Sequence, residues 1–179
     1  MKNSAYLDEA LGGFREARKL TYDLLRSLSD RALVEHLPRP DLDTFGKHFQ
    51  ELGDTQESYA LGIHSGTMDF STIRSYIDTD LVTSQKGLLA FLQRHDARLE
   101  EIVSAVGPTA AVQWPGGEEV SVVEHLGRLT RHEIFHHGQF AAFIYLQNHS
   151  FPASWVETWV LPSRAGELYP MNDLTNSGR

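Results

Sequence analysis

SVVEHLGRLTRHEIFHHGQFAAFIYLQ, residues 121–147, is the longest helical pattern in the chain. At about 100° per residue, Val122, Leu126, Leu129, Phe140 and Phe143 fall in one stripe, and His132 and His136 fall inside it. A stripe of that width needs other helices to cover it. Three upstream segments have the same character. Residues 4–28 place Leu7, Leu11, Phe14, Leu24, Leu25 and Leu28 on one face, with Ser4 as a plausible N-cap. Residues 44–63 carry Phe45, Phe49, Leu52, Tyr59 and Ile63. They follow a stretch broken by Pro38 and Pro40, in which Asp41, Asp43 and Thr44 offer caps. Residues 84–106 align Leu88, Leu92, Leu99, Ile102 and Val106 and stop at Gly107-Pro108.

The connections decide how these segments are joined. About twenty residues, 64–83, separate the second from the third, more than a tight helix hairpin needs and enough to cross the height of a bundle. AAVQWPGGEEVS, residues 110–121, reads as a small hairpin or loop before the last long helix. After it, Pro152 marks a short helix with Trp155 and Trp159 one turn apart, where closing the core is the simplest role for the pair. The expected fold is all-α: a four-helix bundle over residues 1–160 with a long crossover between helices 2 and 3, followed by a tail over 161–179.

At 179 residues the chain suits one domain, and its formal charge of −8, with no Lys/Arg cluster, offers no footprint for nucleic acid. No cysteine is present, so disulfides and thiolate chemistry are excluded and any metal must take N and O ligands. No apolar run resembles a signal peptide or a membrane span, and the expectation is a soluble cytoplasmic protein.

Nine histidines make the chemistry. His48, between Phe45 and Leu52, points inward with them, so three imidazoles face the interior from two helices. Buried imidazole nitrogens without partners cost about 1–3 kcal/mol each, which leaves two readings: metal ligation, or core histidines satisfied by hydrogen bonds. His95 and His125 also lie on inner stripes, as a fourth ligand, a supporting group or structural residues. His36, His64 and His149 read as solvated.

His132-Glu133-x-x-His136 spells the zinc-protease signature HExxH. The metzincin extension fails, because Gly138 comes one position early and Ala142 stands where a third histidine belongs. A thermolysin-like site needs a glutamate from a later helix, a position Glu157 could fill only distantly, and no strong strand precedes the last long helix to hold an extended peptide. A di-iron bundle needs a second Glu-x-x-His, and His48, His95 and His125 are preceded by Phe45, Leu92 and Val122 instead.

His132-x-x-x-His136 followed by Gly138-Gln139, with His48 upstream and the Trp-Pro-Gly-Gly connection before the last long helix, resembles the DinB-like (DinB/YfiT) metalloenzyme family over about residues 1–160. The family pattern is His-x-x-x-His-Arg-Gly-Gln, so His137 stands where arginine is common. The resemblance implies His48, His132 and His136 as ligands of one divalent ion, Zn or Ni. It also implies parallel second and third helices, a homodimer, and a metal-dependent enzyme that activates a thiol or water toward a small-molecule substrate, such as a low-molecular-weight thiol. Gly138 would allow close helix packing. Gln139 and Glu133 are the catalytic candidates, Gln139 to orient a ligand or water and Glu133 as a base. The competing class is a non-catalytic helical module that binds a metal or small ligand.

Overall fold

An apolar stripe on an isolated helix stays in water, so the long segments gain stability by closing their stripes on one another. The structure, a computed structural model, describes residues 2–73, 76–107 and 109–162. In chain order its elements are α1 (Lys2–Ser27), α2 (Asp30–Leu33), α3 (Phe45–Ser65), α4 (Thr79–Val82), α5 (Gln85–Ala105), β1 (Ala111–Gln113), β2 (Glu119–Ser121), α6 (Val122–Leu146) and α7 (Ala153–Trp159). The predicted tail from residue 163 onward lies outside the described residues, as does Pro108 of the predicted stop. α1 begins at Lys2, so Ser4 lies inside its first turn instead of capping it.

Side-chain caps set the other starts. Thr44, Ser84 and Ser121 each accept a hydrogen bond from the backbone N–H three residues on, at Lys47, Gly87 and Glu124. Two short α-helices absent from the sequence expectation are capped in the same way, by Ser29 for α2 and Asp78 for α4, and Asp69 caps a single 3-10 turn at Phe70–Thr72. They sit in stretches read as irregular, because helices of a single turn carry too few residues for a stripe to register.

Pairings give the helix directions. On α3 and α5, Gly53 abuts Phe91 and Glu57 meets His95 and Arg98, numbers that rise together, so the two helices run parallel. Residues 66–84 make the long crossover that this requires. α6 is antiparallel to α3: Tyr59 meets His125, Glu51 meets His132, and His48 meets His136. α1 runs with α6 through Arg18–Glu133 and Thr21–His137, and against α5 through Arg15–Glu100.

β1 and β2 form an antiparallel ladder closed by Gly116 and Gly117, both at positive φ, and Thr67 adds a parallel bridge to Gln113. The core has two apolar halves. One gathers Leu24, Phe45, Phe49, Leu92, Phe140 and Trp155, the other Phe14, Tyr59, Leu99, Val112, Leu126 and Leu129. Trp155 is fully buried and its Nε1 donates to the carbonyl of Leu20, whereas Trp159 is exposed, so only one of the two tryptophans closes the core.

Candidate metal centre

Three donors converge where α3 faces the middle of α6. His132 and His136 are one turn apart, and antiparallel packing brings Glu51 of α3 opposite both. Glu51 Oε2 lies 2.9 Å from His136 Nε2, and Oε1 lies 3.3 Å from His132 Nε2. One ligand atom from each of the three lies within 4.8 Å of the others, a spacing one ion can bridge. The side chains of His132 and Glu51 are 25% and 23% exposed, which opens the cluster to solvent, while His136 is 4% exposed and backs it. Burial works against the Glu51 carboxylate, but contact with His132 and His136 outweighs it and holds the group far below the usual carboxylate range.

His48 stands behind His136. Their Nδ1 atoms are 3.0 Å apart and their ring centroids 5.2 Å, so one Nδ1 donates to the other. His48 Nε2 is buried without a hydrogen-bond partner. Burial, reinforced by the charges of His136 and Arg39, pushes its pKa down to about 3, which keeps the imidazole neutral.

The structure separates the remaining candidates from this cluster. Glu133, fully buried, turns toward α1, where the Thr21 hydroxyl donates to it and Arg18 Nη2 lies 3.3 Å away. His137 Nε2 meets the Thr21 hydroxyl at 2.8 Å, and its ring packs on Trp155. Burial first, then the charges of Arg18 and His136, push the His137 pKa down to about 3. Gln139 accepts from Arg39 Nη1 at 3.4 Å.

His125 is satisfied on both sides: Trp114 Nε1 donates to its Nδ1 at 3.0 Å, and its Nε2 donates to the carbonyl of Tyr59 at 3.0 Å. His95 pairs with Glu57 at 3.1 Å. His36 and His64 are exposed, but His149 is only 26% exposed, bound to Glu35 and packed against Phe45, because the chain after α6 folds back over the start of α3. A Cβ at Gly138 would meet nothing within 4 Å, so the close-packing role expected there is wrong: that face of α6 looks outward. Glu157, the remaining protease candidate, is exposed on α7.

Glu51 is the site residue missing from the sequence reading. Its signal was present, since it follows His48 by three residues and therefore shares that face of the helix. Inner-face selection by apolar neighbours favoured histidines and passed over a carboxylate beside Leu52.

The donor chemistry suits a divalent transition metal. Two imidazoles and a carboxylate converge, and a third, neutral imidazole with an unpartnered nitrogen lies beside them. The DinB superfamily pattern matches residues 13–140 of the chain. No curated protein matches it.

Proposed function

The chain belongs to the DinB superfamily, and from that membership together with the converging donors we propose that it binds one divalent ion, zinc or nickel, and acts as a metal-dependent enzyme on a thiol or water. The observation that carries this is the meeting of Glu51, His132 and His136 at a solvent-open point on the inner face of the bundle. We assign His48 as the third histidine of the site. Its support is a buried, neutral ring in contact with His136.

When bound, the ion supplies a lowered pKa for a coordinated thiol or water, producing a nucleophile at neutral pH. The chain's own residues do the rest. His132 and Glu51 border solvent, where a small substrate enters. Phe140 and Phe143 pack against His48 and keep water from the back of the site. Glu133 has no part in the step, because Thr21 and Arg18 hold its carboxylate on the α1 side. Thiol transfer and hydrolysis are the reaction types this arrangement serves. We extend the reading to a cytoplasmic homodimer, with exposed Ile134, Trp159 and Val160 as apolar surface for a second copy to cover.

One observation favours a non-catalytic, purely metal-holding module: Glu51 raises the donor count to four with the three histidines, the usual number for a structural zinc site. Metal analysis of the purified protein tests the reading. We expect about one ion per chain, lost in His132→Ala and His136→Ala, and retention of metal by either variant would sink the proposal. The His48→Ala variant separates a direct ligand, whose removal empties the site, from a partner that only orients His136, whose removal weakens affinity by roughly 10–100-fold. A thiol that changes the absorption of the Co(II)-loaded protein on binding identifies an open site and excludes the module reading.

A further inference from the structure

Arg39 lies on the connection between α2 and α3 and is half-buried, yet no carboxylate among the described residues pairs with it. Asp43 of the same segment is taken by His36 at 2.9 Å and Lys47 at 2.5 Å. Among the described residues the guanidinium makes two long contacts, from Nε to the carbonyl of Pro40 and from Nη1 to Gln139 Oε1, each 3.4 Å. Both are neutral acceptors. In a chain of formal charge −8, a half-buried arginine left without an acid is unusual.

Its position gives the vacancy a purpose. Gln139, to which Arg39 Nη1 donates, is one turn along α6 from His136. Position 137 contributes no cation here, because the buried His137 ring turns to Thr21 and Trp155. A divalent ion held by Glu51 and neutral imidazoles would leave a net positive centre, and Arg39 would add to it. Such a centre favours an anion, and a planar guanidinium favours a carboxylate, which it binds through two parallel hydrogen bonds. Gln139, already oriented by Arg39, has its amide N–H groups left to donate to the same group.

We propose that Arg39 and Gln139 form the recognition end of the site and that its substrate is a small thiol bearing a carboxylate, with the carboxylate held by Arg39 and the sulfur directed to the metal centre. This rests on the metal-dependent reading above. The specificity-determining residue is Arg39, which touches the substrate away from the reacting atom.

The test uses the full chain loaded with Co(II), titrated with 3-mercaptopropionate and with 2-mercaptoethanol, and read by the sulfur-to-cobalt charge-transfer band. The carboxylate thiol should bind about tenfold more tightly or better, the ratio that one charge-assisted contact gives. Arg39→Gln should bring the affinity for 3-mercaptopropionate down to that for 2-mercaptoethanol at undiminished cobalt content, and Arg39→Lys should restore part of the preference. Equal binding of the two thiols by the wild-type protein, binding of neither, or a preference that survives in Arg39→Gln overturns the inference while the metal reading stands. A chain that takes up no Co(II) overturns both.

Discussion

Thr21 serves two partners with one hydroxyl. A carboxylate only accepts, so the Thr21 proton goes to Glu133, and the remaining lone pair must take the Nε2–H of His137. That order fixes the His137 tautomer and ties α1 to α6 beside Arg18, which also reaches Gln56 on α3 at 2.8 Å and Asp96 on α5 at 3.4 Å. Thr21→Val leaves a buried carboxylate and a buried N–H short of partners and should cost about 2–4 kcal/mol in urea unfolding. Bound metal should stay at the wild-type level, because neither Thr21 nor Glu133 faces Glu51. Loss of metal in Thr21→Val would show that the α1 network and the metal centre act as one. At this scale the sequence was legible where a residue type and its face sufficed, as for His132 and His136. It was silent where a partner came from a distant helix. The HExxH spelling looks catalytic until Arg18 and Thr21, more than a hundred positions upstream, are seen to hold its glutamate.

Helix contacts depend on side chains that are missing as much as on those present. A Cβ on Gly46 would fall on the carbonyl oxygen of Val82 in α4, and one on Gly53 would fall within the ring of Phe91 in α5. α3 packs closely on α4 and on α5 because those positions carry only hydrogen. Gly53→Ala should therefore destabilise by about 1–3 kcal/mol, although alanine favours helix, because the Phe91 ring must leave its rotamer. Gly46→Ala should cost at least as much, since backbone yields less readily than a ring. Gly138→Ala is the control: with open space around it, the change should stabilise by about 0.5–1 kcal/mol. Thermal or urea unfolding of the three variants checks the order, and a destabilised Gly138→Ala would contradict the outward placement of that face. The four long helices were readable because a stripe repeated over twenty residues survives local noise. Which glycines matter was not, because a glycine's neighbours lie on another element. The motif points to Gly138 for its place beside His136, and the fold needs Gly46 and Gly53 instead.

Across the whole molecule the two apolar halves of the core meet at a polar level built from Arg18, Thr21, Gln56, Asp96, Glu133 and His137, one or two from each long helix. A slip of one helix along another unpairs that level, so it specifies the packing more than it adds stability. Below it, His125 locks the hairpin to α3 and α6 as a neutral ring, accepting from Trp114 and donating to Tyr59. Burial is the main cause that pushes its pKa down to about 4. The Arg128 guanidinium, which stacks over Trp114, lowers it further, and the Tyr59 carbonyl opposes the shift. The folded ring thus resists a proton that the unfolded chain accepts near pH 6.5. Its contribution is complete above that pH and declines as the pH falls from about 6.5 to about 4, where protonated Nδ1 would have to face the Trp114 N–H. Unfolding near pH 5 should take up close to one proton at this position, a slope of about 1.4 kcal/mol per pH unit and a total on the order of 3 kcal/mol. Urea unfolding at half-unit steps from pH 4.5 to 7.5 measures it against His125→Gln, which lacks the titrating ring. The wild-type slope should exceed that of the variant by about one proton between pH 4.5 and 6. Parallel stability curves would mean that the His125 ring titrates alike in the folded and unfolded chain, and that the hairpin is held by Trp114 packing instead of by the neutral ring.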